Sequence, residues 1–175
     1  FPTRRSSDLL LKAGICGDRQ WVGNLKMPDN IDWRQLHIYA YYENVEDIVQ
    51  RGAEILGIPL PHAPIAMNTA YLPSDYQRPG AMEVPFVTTV LESVADNNLN
   101  LRLLVDLYRA LLDEKLDEEE LMNKLVEEKR DGLLMSLLQI MKEELLIDEG
   151  FLPSPPVDNR ETQRLRNLLS NHLKI

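Results

Sequence analysis

From Phe86 onward the large apolar residues fall at Phe86/Val87, Val90/Leu91, Val94, Leu101, Leu104/Val105, Tyr108 and Leu111/Leu112, which is the three-and-four spacing of one helix face. After Lys115-Leu116-Asp117 the spacing resumes at Leu121/Met122, Leu125/Val126, Leu133/Leu134, Leu137/Leu138, Met141 and Leu145. Two stretches of this kind, joined by a short polar hinge, are expected to form an antiparallel pair. Each carries a stripe that water would otherwise wet, so the two bury it against each other and against a third element. A third stripe runs through Ile38, Tyr41/Tyr42, Val45, Ile48/Val49, Gly52/Ala53 and Leu56 and closes at Gly57. Asp29-Asn30 is placed to cap it, with the helix beginning near Ile31. A rival reading makes Leu36 to Tyr42 a β-strand, because it is rich in aromatic and branched residues, with Asn44 capping a shorter helix. The spacing continues through Asn44 without a break, which favours one helix.

Ile58 to Val84 contains prolines at 59, 61, 64, 73 and 79. Five prolines deny it a regular ladder of backbone hydrogen bonds, so it reads as an extended crossover between the third stripe and the pair. Gly14 to Pro28 holds three glycines and reads as a loop, after a helix tail at Leu9 to Ala13 that ends at Gly14. Beyond Gly150 a proline-rich exit, Leu152 to Pro156, leads to a last amphipathic helix from about Asn159, with Leu165, Leu168/Leu169 and Leu173 on one face. The fold class expected is all-α: an antiparallel helical bundle with a long Pro-rich crossover. Residues 10–156 form the bundle domain and residues 157–175 a C-terminal amphipathic helix.

Residues 1–9, Phe-Pro-Thr-Arg-Arg-Ser-Ser-Asp-Leu, resemble the translation of a common sequencing-library adapter. The resemblance implies that Phe1 to Asp8 are foreign to the gene and that the bundle is N-terminally truncated. Arg4 and Arg5 are therefore kept out of any binding argument.

The net charge of −9 disfavours nucleic acid and anionic lipid as partners, because phosphate binding needs concentrated Lys and Arg. Here the basic residues are scattered. No run approaches the ~20 apolar residues of a membrane-crossing helix. The single cysteine, Cys16, excludes an internal disulfide and fits a reducing, cytoplasmic setting. Acids crowd Leu116 to Glu149, including Asp117-Glu-Glu-Glu120, where they suit the positive end of a helix dipole and a solvated face.

Candidate chemistry is sparse. Cys16 has no base near it in sequence, no Gly-x-Ser-x-Gly turn occurs, and no catalytic residue is nominated. Asp96-Asn97-Asn98-Leu99-Asn100 interrupts the apolar face, either as a kink or as a polar site inside the bundle. On the second reading Asn97 and Asn98, with Tyr41 and Tyr42, are candidate ligand-binding residues. Separately, Trp33, Tyr39, Tyr41 and Tyr42 either line an aromatic pocket or pack a core, and the core is favoured.

Two exits, Glu54-Ile-Leu-Gly-Ile-Pro-Leu-Pro-His-Ala-Pro64 and Asp148-Glu-Gly-Phe-Leu-Pro-Ser-Pro-Pro156, share a helix that ends at Gly and leaves through proline-spaced apolar residues. This resembles the bacterial tandem ferritin-like helical proteins of the spore-coat F type, over roughly Ile31 to Pro156. The resemblance implies ferritin-like, up-down four-helix units and a coat or structural role. The iron site of ferritin-like oxidases needs Glu-x-x-His pairs on facing helices. Of His37, His62 and His172, none has a Glu three residues before it. Trp33, Leu36-His37, Asp47 and Leu56-Gly57 also resemble the starvation-type ferritins, but Arg51 stands four residues after Asp47 and the His-to-Gly interval is too short. No metal ligand and no cofactor is assigned. The function expected is that of a non-enzymatic structural or assembly protein acting through helix–helix self-association or on a protein partner. A small-molecule- or metal-binding ferritin-like bundle is one alternative. An α/β fragment of a larger enzyme is the other.

Overall fold

The computed structural model describes residues 2–22, 27, 29, 31–61, 84–113, 115–145, 147 and 152–172, with the side chains of 2–7, 21–22 and 171–172 left aside. The chain is all-α, and the described residues contain no strand. Leu36 to Tyr42 is helical, which removes the strand reading and the α/β alternative built on it. Eight helices are described: α1 (Pro2–Cys16), α2 (Trp33–Tyr42), α3 (Glu46–Leu56), α4 (Val84–Ala95), α5 (Leu101–Leu111), α6 (Glu118–Glu127), α7 (Asp131–Leu145) and α8 (Arg160–His172), with a 3-10 turn at Arg19–Val22. They fall into two compact units, Phe1–Thr69 and Ala70–Ile175.

The expected three long helices are each broken in two, and the three breaks share one geometry. After α2, Asn44 takes the left-handed conformation at φ 57°. Val45 N then donates to Ala40 O at 2.9 Å, and Asn44 N to Tyr41 O at 3.2 Å. After α4, Asn97 (φ 64°) does the same, with Asn98 N donating to Ser93 O and Asn97 N to Val94 O. After α6 it is Lys129 (φ 57°), with Arg130 N donating to Leu125 O and Lys129 N to Val126 O. This six-to-one plus five-to-two pattern is the Schellman closure, which satisfies carbonyls that a helix end leaves bare. The next helix then starts on a fresh axis. Gly57 (φ 68°) closes α3 in the same manner, as its position in the sequence predicts.

In the first unit, α1 packs along α3, and α2 touches both. The α1–α3 contact is set by two glycines. A Cβ on Gly14 would lie 2.0 Å from the carbonyl oxygen of Ile48, and one on Gly52 would lie 1.9 Å from that of Leu10. Gly14 is thus inside α1 and does not end it, since the helix needs that glycine for the approach of its neighbour. The left-handed residue is Gly17, whose N–H donates to Ala13 O at 2.9 Å. At the start of α2, the cap is Asp32, three residues later than expected: its Oδ1 accepts from Gln35 N at 3.0 Å.

In the second unit, α5 packs on α4 and α7, α6 on α4 and α7, and α8 on α7. Asn100 caps α5, its Oδ1 accepting from Leu103 N at 2.9 Å, and Asp117 caps α6 through Glu120 N. Most of the sequence periodicity is kept along these helices: Val87, Val90, Leu91, Val94, Leu104, Val105, Leu121, Leu125, Leu134, Leu137, Leu138, Met141 and Leu145 are all buried, whereas Leu112 and Val126 of the expected stripes are exposed. Burying side chains of this size stabilises by about 1.5 to 3 kcal/mol each, before the entropy of ordering them is set against it. Helix α5 goes further, because every residue from Leu101 to Leu111 except Arg109 is buried. As expected, a last helix follows Asn159, whose Oδ1 accepts from Thr162 N while Asn159 N donates to Thr162 Oγ1. This reciprocal cap is tied to α7, where the Ser136 hydroxyl lies 3.2 Å from Asn159 Oδ1 and Val157 N donates to Met135 O. The crossover, read as Ile58 to Val84, lies outside the described residues from 62 to 83.

Candidate functional site

Helix α2 buries only a narrow stripe. Leu36 and Ala40, one turn apart, face inward, while Arg34, Gln35, Ile38, Tyr41 and Tyr42 face out. On a helix of 3.6 residues per turn, Arg34, Ile38, Tyr41 and Tyr42 share one side. Ile38 retains 36% of its surface and each tyrosine 40%. The two rings meet edge to face, with centroids 5.6 Å apart and planes at 81°. Such pairs add about 0.5 to 1.5 kcal/mol and hold both rings in place.

This overturns the core role expected of Ile38, Tyr41 and Tyr42. The expectation followed one uninterrupted helix, in which these residues align with Val45, Ile48 and Val49. The turn at Asn44 changes the helix axis, so α3 buries its stripe while α2 turns to a different one. The inward stripe is marked in the sequence only by the Leu36/Ala40 pair, a weak signal because Ala is small.

The C-terminal end of α2 meets α3 at a polar corner. Glu43 and Asn44 are buried at the corner. His37 Nε2 lies 3.4 Å from Glu46 Oε1, so the imidazole reaches across the corner to the first turn of α3. The side chains of His62 and His172 lie outside those described. Among the described residues no group of three or more His, Cys, Asp or Glu side chains is close enough to hold a metal ion.

The asparagines nominated with the tyrosines sit in the second unit. Asn97 is the left-handed residue after α4, and its Oδ1 accepts from Arg164 Nη1 of α8. Arg164 also donates to Glu161 Oε1 and, at 3.4 Å, to Val94 O. Asn98 pairs with Ser93 in both directions, its N–H donating to Ser93 O and its carbonyl accepting from Ser93 Oγ. These contacts close the end of a helix and anchor α8 to it. The tyrosines and the asparagines belong to different units, and each pair is engaged in its own local contacts.

One cluster of charge is buried. Arg102 Nε donates to Asp106 Oδ2 at 2.7 Å, with side chains 3% and 2% exposed, and Arg109 Nη1 lies 3.7 Å from Asp106 Oδ1. A second network is superficial: Arg166 of α8 donates to Glu143 and to Asp158. Hydrogen bonds to Glu143, then to Asp158, push the Arg166 guanidinium further up from its already high pKa, so it stays charged at any accessible pH. Along α6 an open, shallow depression is lined by Asp117, Glu119, Glu120, Asn123, Lys124, Glu127 and Glu128.

No protein-family model, curated protein or solved structure matches the chain. No helix among the described residues is long and apolar enough to cross a membrane. The feature that needs a physical explanation is therefore the outward face of α2, since a solvent-facing helix side is ordinarily polar.

Proposed function

We propose that this is a structural or assembly protein, non-enzymatic, which works by helix–helix association, with α2 as the associating surface. A single observation carries the proposal: Ile38, Tyr41 and Tyr42 lie together on the exposed side of a helix whose inward stripe is already filled by Leu36 and Ala40. Tyrosine pairs of this kind offer large contact area at small entropic cost, which is why they recur at interfaces. The scattered basic residues and net negative charge point to protein rather than to nucleic acid or an anionic membrane. The role agrees with what the likeness to spore-coat F type proteins implies, and the ferritin-like up-down bundle and cytoplasmic setting form part of the same proposal.

Sedimentation velocity on the full chain, from micromolar to sub-millimolar concentration, tests it. The expected result is concentration-dependent association that Tyr41→Ser/Tyr42→Ser abolishes while the helical circular dichroism spectrum stays unchanged. A strict monomer throughout would overturn it.

A further inference from the structure

Resting on that reading, we infer that the occupant of the α2 face is helix α6 of a second copy of this chain, lying parallel to α2 in one register. The argument is charge and spacing. Helix α2 carries the exposed Arg34 at its start and no acid anywhere along its length. Helix α6 opens with the exposed acids Glu118, Glu119 and Glu120, and near its far end it exposes Val126, which keeps 58% of its surface. Between them sits the half-buried Met122.

On α2 the order along the outer side is a cation, then Ile38 one turn on, then Tyr41 and Tyr42 two turns on. On α6 it is an acid, then Met122, then Val126, at the same intervals. Laid parallel, Arg34 meets Glu118 and Glu119, Ile38 meets Met122, and the tyrosines meet Val126. Laid antiparallel about the same Ile38–Met122 contact, Arg34 would face the apolar Val126 and the tyrosines would face acids. Charge therefore selects the parallel pairing.

Each helix has 10 residues. A contact about 15 Å long buries less than the standard ~1,600 Å² of a stable complex, so the association is weak and concentration-dependent. Two such contacts related by a two-fold axis close a dimer, and other rotations between copies give larger rings or an open chain.

The test is a charge exchange in the full chain, followed by sedimentation at low ionic strength. Arg34→Glu alone, and Glu118→Arg/Glu119→Arg alone, should each weaken association about five-fold or more, and the triple variant should return it to within about two-fold of the parent. Association that is lost in Tyr41→Ser/Tyr42→Ser but indifferent to both charge reversals would overturn the α6 assignment and leave the α2 reading standing. A monomer at every concentration would overturn both. Circular dichroism on each variant guards against simple unfolding, and a cross-link between Ile38→Cys and Met122→Cys chains mixed in a Cys16→Ser background gives an independent reading of the register.

Discussion

Gly52 faces the carbonyl oxygen of Leu10 across a gap that leaves no room for a methyl group: a Cβ there would lie 1.9 Å from that oxygen. Two opposing effects meet at this position. Mid-helix Gly→Ala ordinarily gains up to about 1 kcal/mol from propensity. Forcing a backbone apart costs about 1 to 3 kcal/mol or more. The clash is with main chain and not with a flexible side-chain end, so it wins. Gly52→Ala is expected to destabilise by more than about 2 kcal/mol in urea unfolding. Gly57→Ala meets nothing within 4 Å and should cost only the about 1 to 2 kcal/mol of a left-handed alanine.

Lys129 pays a conformational cost that its side chain does not need. It is exposed, sits at φ 57°, and closes α6 with its backbone. Replacing it with glycine removes about 1 to 2 kcal/mol of left-handed strain and adds about 0.5 to 1 kcal/mol of unfolded-state entropy. Lys129→Gly should therefore stabilise by about 0.5 to 1 kcal/mol, read as a higher midpoint of urea unfolding at constant slope.

That same lysine shows why only part of the fold was legible in the sequence. Helix type and the buried faces of α4 to α8 follow from periodicity, because Val87, Leu91, Leu104, Leu125, Leu137 and Leu165 repeat at helical spacing. The corner at Asn97 left a trace, since three asparagines among five residues are poor helix material. Lys129 left none: it is a good helix former, and its left-handed backbone answers to the packing of α6 and α7. At Asn44 the apolar spacing resumes on the far side, so only the rival strand reading places a break there. The outward turn of Tyr41 and Tyr42 depended on that missed corner, so the proposed surface could not be found before the corner was. By sequence position alone Gly14 marks a helix end and Gly52 a stripe member. Their shared role needs two helices side by side, which a linear pattern does not contain.

Asp106 is 1% exposed and bonded to an almost equally buried Arg102. Asp106→Ala leaves a guanidinium buried without this partner and should cost about 3 to 5 kcal/mol. Arg102→Met combined with Asp106→Leu removes both charges and should cost less than Asp106→Ala alone, a non-additivity that a double-mutant cycle measures.

Two kinds of contact hold α8, and their magnitudes differ. Leu165 is fully buried, so Leu165→Ala should cost about 2 to 5 kcal/mol. The Arg164 side chain, bonded to Asn97, Val94 and Glu161, is partly exposed, and Arg164→Ala should cost about 1 kcal/mol, with its ion-pair share smaller still in molar salt. Amide hydrogen exchange in α8 checks this: Leu165→Ala should speed it strongly, and salt should speed it only slightly.

The choice of Asn over Gly at position 97 links two things that a bare bend would keep apart. Glycine there would reproduce the corner yet offer Arg164 no side-chain oxygen, leaving its reach to α4 to the longer contact with the Val94 carbonyl. With an amide in that spot, the residue that lets the backbone change direction is also the peg to which the final helix is hitched, so whatever opens the corner loosens the tail.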